Sequence, residues 1–307
     1  MNGFFMVSNI KEGDTVKGKD DEETKVVRVM EVYLARHGVK SKEKYAQDEV
    51  VPLTDSSPGS IYNKVKNASP KTYSPERVYL AHTDRIRTAQ TGQAIALAKT
   101  GQRKPKNLEE LAESDYRGMT IRKDDRLSLY PDEINEPVFR KKGQKYIVDY
   151  ALQNREAVQM EGQLIEPHVS IESRMKDALR DGIENVLSGN YDCAILVTHG
   201  YHAETLRGIA NGRGSTARNT DEIGGEFQME DFDVIRIAEL EDGTYKTFVE
   251  YNGRVEERKL KDILGYDVKG DKGRAKEHAR IIREEDEVNE RMNPQMQNLS
   301  PAAFGRN

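Results

Sequence analysis

Apolar and polar residues alternate along this chain in blocks, and the blocks predict strands that alternate with helices. Short apolar runs at residues 26–35, 77–81 and 193–197 are bounded by polar or turn residues and indicate buried strands. Apolar side chains at three- and four-residue spacing predict an amphipathic helix over residues 170–188. Alternation of this kind is typical of a sheet covered by helices on both faces. We therefore expect a three-layer α/β sandwich with a mixed, mostly parallel central sheet.

Weaker signals predict the remaining elements. Further helices are expected over residues 60–66, 85–99 and 146–159 and through Leu206 and Ile209, and further strands over residues 106–111, 232–240 and 245–251. Thr83 or Asp84 is positioned to cap the helix that begins at residue 85, and Gly101 is positioned to end it. Asn252-Gly253, which follows the last predicted strand, is a strong signal for a hairpin turn.

Composition and charge narrow the classes of function. The chain has 307 residues, of which 33% are charged, and its net charge of −5 argues against a general nucleic-acid binder. Its beginning lacks the basic start and apolar stretch of a secretory signal, and no apolar run approaches the ~20 residues that cross a bilayer. A single cysteine, Cys193, fits a reducing compartment. We expect a cytoplasmic protein that binds neither nucleic acid nor membranes.

Residues suited to phosphate chemistry stand just beyond several predicted strands. Arg36-His37-Gly38 ends the first strand, and His199-Gly200 follows the strand at residues 193–197. Ligands of open α/β sheets bind at the carboxyl ends of the strands. Arginine offers a fork of donors that matches phosphate oxygens, and a neutral imidazole can act as a nucleophile. Arg87 and Glu113 follow two other predicted strands, so the set predicts an anion site equipped for acid–base catalysis.

Four blocks of sequence, taken in order, resemble the motifs of the histidine phosphatase superfamily, the phosphoglycerate mutase-like group. The blocks are residues 34–38, 83–91, 111–118 and 195–200, and weaker agreement comes from Pro52-Leu53-Thr54 and Tyr130-Pro131-Asp132-Glu133. The resemblance spans about residues 26–250. Any one block is ordinary, whereas the ordered set is strong evidence for the resemblance.

The resemblance implies a phosphomonoester hydrolase that acts on a small phosphorylated metabolite through a phosphohistidine, without metal or cofactor. His37 is the implied nucleophile, and Arg36, Arg87 and His199 are the implied ligands of the phosphate oxygens. Glu113 is the implied proton donor to the leaving oxygen, with a raised pKa, and afterwards activates the incoming water. The implied partner is the substrate, and association with a second copy of the chain stays open.

Alternatives remain for two of these assignments and for the chemistry. Arg85, two residues before Arg87, is the competing arginine, and Asp115 competes with Glu113 as the proton donor. A phosphomutase would share the phosphohistidine but return the phosphoryl group to a second hydroxyl group. A catalytically silent protein that binds a phosphorylated ligand would keep the pocket without forming the phosphohistidine.

The chain departs from the family pattern at several points. Lys40 to Lys44 stand where a small polar residue, commonly Asn, contacts the phosphate in many family members, so Lys40 or Lys42 is the candidate replacement. His82-Thr83 replaces the usual serines before the arginine block. Further motifs of the mutase branch are absent from residues 114–168, which favours a phosphatase. His202 and Glu204 follow His199 at helix spacing, but zinc needs more converging ligands, so we do not expect a metal site.

The regular pattern is interrupted in three segments, which suggest a domain organisation. Residues 1–25 are expected to form a partly mobile extension or a small added hairpin. A catalytic domain is expected over residues 26–265, and residues 114–168, which have turn signals and no clean period, are interpreted as an insertion near the site. Residues 266–307 are expected to contain a highly charged helix over residues 271–292 and a flexible tail.

Overall fold

The computed structural model describes residues 10–18, 22–43, 50–128 and 141–265. The predictions for Tyr130-Pro131-Asp132-Glu133 and for residues 266–307 lie outside these ranges. The strands within them are β1 (Thr15–Lys17), β2 (Glu23–Arg36), β3 (Val78–His82), β4 (Thr120–Lys123), β5 (Gln159–Met160), β6 (Gln163–Leu164), β7 (Cys193–Thr198), β8 (Phe232–Leu240), β9 (Tyr245–Tyr251) and β10 (Arg254–Arg258). The α-helices are α1 (Ser57–Ala68), α2 (Ile86–Thr100), α3 (Leu108–Ala112), α4 (Gln144–Gln153), α5 (His168–Leu187), α6 (Gly200–Ala210) and α7 (Leu260–Leu264).

The central sheet has the strand order β10-β9-β8-β2-β7-β3-β4, and β1 pairs with the start of β2. β2, β7, β3 and β4 are parallel to one another, whereas β8, β9 and β10 continue the sheet in antiparallel fashion. Of the eight strands described in this sheet, β2, β3, β4, β7 and β9 run in the same direction. The predicted mixed, mostly parallel sheet is therefore confirmed.

Helices cover both faces of this sheet, because alternate side chains of each central strand point to opposite sides. Val32 and Leu34 of β2 belong to the core that also contains apolar side chains of α4, α5, α6 and α7. Tyr33 and Ala35 belong to a second core, formed with α1, α2 and α3. The predicted three-layer arrangement is confirmed.

A buried cluster of charges lies on the α1–α2 side of the sheet. Lys99 Nζ is 2.6 Å from Glu31 Oε2, and the two side chains are 0% and 2% exposed. Ser69 Oγ donates to Glu31 at 2.7 Å, the Tyr73 hydroxyl donates at 3.2 Å, and Arg236 Nε lies 3.3 Å away. Burial raises the pKa of Glu31, but Lys99 and Arg236 outweigh it and hold this pKa below its usual 4.5. The carboxylate therefore stabilises the fold above pH 4.5, and this contribution is lost as the pH falls.

Most predicted elements are present, with ends displaced by a few residues. β8 and β9 have the predicted bounds, and the helix predicted over residues 170–188 is α5. Gly101 ends α2 in the left-handed conformation at φ +70°. Asn252 and Gly253, at φ +46° and +71°, form the predicted turn between β9 and β10. These signals depend on local backbone preferences, which is why the sequence carries them.

Three local predictions are wrong. The strand expected over residues 106–111 is replaced by α3, because the Asn107 side chain accepts the Glu110 N–H at 2.9 Å and starts a helix there. The helix expected over residues 146–159 is α4, which ends at residue 153 and is followed by the β5–β6 hairpin. Neither Thr83 nor Asp84 caps α2: the helix begins after residue 85 without a side-chain cap.

The segments expected to flank or interrupt the catalytic domain contribute to the same sheet and core. β1 and the first residues of β2 form an antiparallel pair, which corresponds to the added hairpin expected in residues 1–25. Within residues 114–168, β4 joins the edge of the central sheet and α4 contributes to the larger core. The domain boundaries themselves stay predictions. In the ranges described, none of the helices combines the length and the apolar character needed to cross a bilayer.

Replacing Lys99 with methionine should destabilise the protein by on the order of 3 kcal/mol, because Glu31 would stay buried without its nearest cation. Urea unfolding at pH 7 measures this change. The double variant Glu31→Gln/Lys99→Met should recover part of the loss, since it removes both charges. A single variant as stable as the wild type would contradict the role of this ion pair.

Candidate active site

The parallel pairing of β2 with β7 brings two distant histidines side by side. Arg36 lies opposite Thr198 in this pairing, and the His37 N–H donates to the Thr198 carbonyl at 3.0 Å. His37 and His199 follow these partners directly, and their ring centroids are 5.1 Å apart, with the planes at 67°. The two residues are 7% and 3% exposed. The convergence expected from the two strand ends is therefore present.

Arginine side chains adjoin this histidine pair. Arg36, half-buried at the end of β2, donates from Nη1 to the Phe227 carbonyl at 2.5 Å. Arg87, in the first turn of α2, is 3% exposed. The positive charge of Arg87 lowers the pKa of both His37 and His199, and Arg36 adds to this effect at His37. Four of the five predicted site residues therefore lie together.

Both imidazoles are held neutral. Burial, followed by the charge of Arg87, outweighs the hydrogen bond to Gly38 and lowers the pKa of His37 from 6.5 to about 3. Burial, followed by the charges of His37 and Arg87, lowers the pKa of His199 well below 6.5. His37 Nδ1 lies 2.8 Å from the Gly38 carbonyl, which can only accept, so Nδ1 carries the proton. Nε2 is then the ring atom with the lone pair, which is the form required of a nucleophile.

The loop that carries His37 is fixed by close packing and by hydrogen bonds. The Gly38 N–H donates to Thr91 Oγ1 at 2.9 Å. A Cβ at Gly38 would lie 2.6 Å from Ser57 Oγ, so only glycine lets α1 approach this closely. Ser57 Oγ donates in turn to Glu230, whose own N–H donates to the His37 carbonyl at 3.4 Å. Residues from α1, α2 and the loop before β8 thus hold the nucleophile candidate in place.

The structure brings Arg85, the competing arginine, to the same site as Arg87. Arg85 is 4% exposed, and its charge contributes to the lowered pKa of His199. Thr83 Oγ1, which accepts the Arg85 N–H at 3.2 Å, lies 3.3 Å from His199 Nε2. Side chains two residues apart within one helix would point to different faces, but Arg85 precedes the first turn of α2, so both arginines can lie at one site.

Glu113 is not brought into contact with the histidine pair. It lies exposed at the C-terminal end of α3, and its side chain makes no hydrogen bond or ion pair within the described ranges. Asp115, its competitor, accepts bonds from Arg117 Nε at 3.0 Å and Nη2 at 2.8 Å. Side-chain and backbone bonds from Arg117 lower the pKa of Asp115 to about 2. Asp115 is therefore ionised near neutral pH and has no proton to donate.

A different carboxyl group, that of Glu204, lies buried in α6. Gln144 Nε2 donates to Glu204 Oε1 at 2.6 Å, and the Phe227 N–H donates to the same oxygen at 3.1 Å. Burial raises the pKa of Glu204 to about 7. His202 has another partner, because its Nε2 accepts from Arg174 Nη2 at 2.8 Å. From the sequence, Glu204 is considered only as a metal ligand, because the burial of every residue of α6 is visible only in the structure.

Lys40 stands where the sequence departs from the family pattern after the Arg-His-Gly triplet. Its side chain is exposed, and its backbone forms an isolated bridge with Leu53, from the block Pro52-Leu53-Thr54. The charge of Lys40 is among those that lower the pKa of His37. Lys42 is exposed as well, and Lys44 lies outside the described ranges.

Comparisons with known proteins give low similarities. No protein-family model matches the sequence, and no curated protein matches it. A solved structure described as mycobacterial hydrolase 2 is 9% identical, covers 78% of this chain and 96% of its own, and has a TM-score of 0.45. A phosphoglycerate mutase from Bacillus anthracis is 13% identical over 78% and 98%, with a TM-score of 0.43. A mycobacterial glucosyl-3-phosphoglycerate phosphatase is 11% identical over 68% and 91%, with a TM-score of 0.41. The function of this chain therefore has to be inferred from its own residues.

The protonation state of the histidine pair can be measured. In ¹⁵N-histidine NMR spectra, His37 should stay neutral and protonated on Nδ1 down to about pH 4, because burial and Arg87 oppose a second proton. Arg87→Met should raise the pKa of His37 by removing that charge. A midpoint near 6.5 for His37 in the wild type would contradict this geometry. Below pH 6.5 the His37 side chain takes up a proton in the unfolded chain but not in the folded one. The free energy of unfolding should therefore fall as the pH drops below this value.

Proposed function

We propose that this chain is a phosphomonoester hydrolase that transfers the phosphoryl group of a small phosphorylated metabolite first to His37 and then to water. The observation that supports it best is the pair of buried imidazoles, His37 and His199, whose ring centroids are 5.1 Å apart beside two arginines. The chain resembles the histidine phosphatase superfamily in the blocks that carry these residues. No single block of the sequence would support this function alone.

The proposed reaction consists of two displacements at phosphorus. In the first, the His37 Nε2 lone pair forms the N–P bond while the ester P–O bond breaks, and the departing oxygen takes up a proton. In the second, a water oxygen attacks phosphorus and returns one proton to the group that supplied it in the first step, the N–P bond breaks, and inorganic phosphate leaves with the neutral ring restored. Covalent transfer divides one difficult step into two. The reaction needs no metal ion in this scheme.

Electrostatics favours a phosphate group at this position. A phosphoryl transition state carries its negative charge on three equatorial oxygens, so preorganised cations and donors around them lower the barrier. Arg36 and Arg87 supply the cations, and His199 supplies a neutral donor or acceptor beside the nucleophile. A phosphate dianion between the arginines and the imidazoles would place its oxygens beside these groups.

The proton donor to the leaving oxygen is assigned to Glu113, and this assignment comes from the resemblance alone. The Glu113 side chain is exposed at the C-terminal end of α3. Asp115 is a poorer candidate, since Arg117 keeps it ionised.

His37→Ala should abolish turnover while leaving the fold intact, because the variant lacks the atom that receives the phosphoryl group. Incubation with a ³²P-labelled phosphoryl donor should produce an acid-labile label on the wild type and none on the variant. His168→Gln serves as a control: His168 is also buried, but its Nδ1 is 3.0 Å from the Tyr201 hydroxyl rather than at the pair. A His37→Ala variant with wild-type turnover would rule out the proposed nucleophile.

Product analysis separates the proposal from its alternatives. A panel of phosphate esters, tested with a chelator present, should release inorganic phosphate. Conversion of a phosphate ester into its isomer without release would identify a phosphomutase instead. Binding of phosphate without any label on His37 would identify a silent phospho-ligand binder.

Glu113→Gln should slow hydrolysis of esters with poor leaving groups by roughly 10²–10⁴, because the departing oxygen would lack its proton donor. The effect should be much smaller for nitrophenyl phosphate, whose leaving group departs without a proton. Asp115→Asn is the matched control and should leave both rates unchanged. Equal, small effects of Glu113→Gln on both substrates would show that another group donates the proton.

A further inference from the structure

Residue Phe227 connects the phosphate-binding candidate Arg36 to the buried carboxyl group of Glu204. Its carbonyl accepts from Arg36 Nη1 at 2.5 Å, and its N–H donates to Glu204 Oε1 at 3.1 Å. Gln144 Nε2 donates to the same carboxyl oxygen at 2.6 Å. Gln144 is also seated against the first turn of α6, since a Cβ at Gly200 would lie 2.3 Å from its Oε1. One oxygen of Glu204 is thereby fixed by two donors.

One further atom of each charged group has no such partner. Glu204 Oε2 and Arg36 Nε are both buried, and neither has a hydrogen-bond partner within the described ranges. Buried polar atoms are rarely left in this state, because the cost of removing them from water is not repaid. Arg36 therefore retains donor capacity in the region where the phosphate group is proposed to bind.

The charges around Glu204 come from few side chains. Arg36 on β2 and Glu226 in the loop before β8 face it, and α4 contributes the neutral Gln144. Arg207, which lies on α6 itself, donates two hydrogen bonds to Asp233. Arg36 itself faces Glu204, Glu226 and Asp231. A carboxylate and a bound phosphate would compete for the same guanidinium group.

We infer that Glu204 makes anion binding at Arg36 depend on a proton: the carboxyl group is protonated when a phosphate group is bound and ionises when the site is empty. This inference rests on the proposed phosphate site. Two negative groups beside one guanidinium in a medium of low dielectric repel each other strongly, so a proton from solvent neutralises Glu204 as the anion enters. The linkage is reciprocal, so protonation of Glu204 strengthens anion binding by the same factor.

The pKa of Glu204 supports this arrangement, because burial raises it to about 7 despite the bonds from Phe227 and Gln144 and the charge of Arg36. The group therefore changes its charge near neutral pH rather than near 4.5. Glu204 acts through Arg36 and is a positioning residue, not a group that touches the reacting atoms. Loss of this proton accompanies the release of product phosphate.

Sulfate is a suitable probe, because it remains a dianion between pH 6 and pH 8. Calorimetry should show sulfate bound to the wild type about tenfold more weakly at pH 8 than at pH 6, as expected when binding requires a proton on a group of pKa about 7. Titrations in buffers of different ionisation enthalpy should show about one proton taken up per sulfate at pH 8. Glu204→Gln, a neutral mimic, should bind with nearly equal affinity at both pH values and take up no proton.

Glu226→Gln is the matched control, because Glu226 faces the same arginine but is exposed. It should raise sulfate affinity at both pH values and keep an uptake of about one proton per sulfate at pH 8, since Glu204 still titrates. Should Glu204→Gln unfold, ¹³C NMR of the wild-type carboxyl group provides the measurement, and saturating sulfate should raise the pKa of Glu204.

The outcomes separate this inference from the proposed function. The same pH dependence in Glu204→Gln and wild type, or a Glu204 pKa unmoved by sulfate, would overturn the proton linkage and leave the phosphate site standing. Failure of both sulfate and inorganic phosphate to bind the wild type at either pH would overturn the linkage together with the proposed function.

Discussion

The parallel register of three neighbouring strands, β2, β7 and β3, is the constraint on which the candidate site depends. Arg36 is paired with Thr198, and His82 is paired with Val197, so the loops after these strands leave the sheet at the same edge. A shift of one residue in either pairing would turn alternate side chains to the other face. The histidine pair and the arginines beside it are therefore consequences of the sheet, and the loops contribute mainly their packing.

The sequence predicted the site residues whose positions follow from the residues next to them in the chain. It missed those whose positions depend on how helices pack. Apolar runs that end in Arg-His-Gly and His-Gly placed His37 and His199 correctly, because a parallel sheet gathers its strand ends. The relation of Arg85 to His199 depends on the residue at which α2 begins, which no periodicity reveals. Glu204 required knowledge that every residue of α6 is buried. The strand expected over residues 106–111 is a helix because the Asn107 side chain caps it there, a contact that hydrophobic periodicity does not reveal.

Two buried clusters of titratable side chains in this protein differ in their state of charge. Glu31 is surrounded by cations and hydroxyl groups that leave it ionised, so its negative charge is balanced by groups of the same chain. At the candidate site, by contrast, burial holds His37 neutral and raises the pKa of Glu204 to about 7, so the charge of this carboxyl group changes near neutral pH. The first arrangement stabilises the core, whereas the charge of the second depends on pH.

The place of β7 between β2 and β3 has a consequence for biosynthesis. The two strands made early in the chain do not pair with each other, and the strand that joins them is translated only at residues 193–198. Until that segment leaves the ribosome, β2 and β3 each present an apolar edge with open backbone groups, the condition under which nascent chains associate wrongly. Those edges need shielding until β7 has been made, and a chaperone that recognises extended apolar segments is suited to that task.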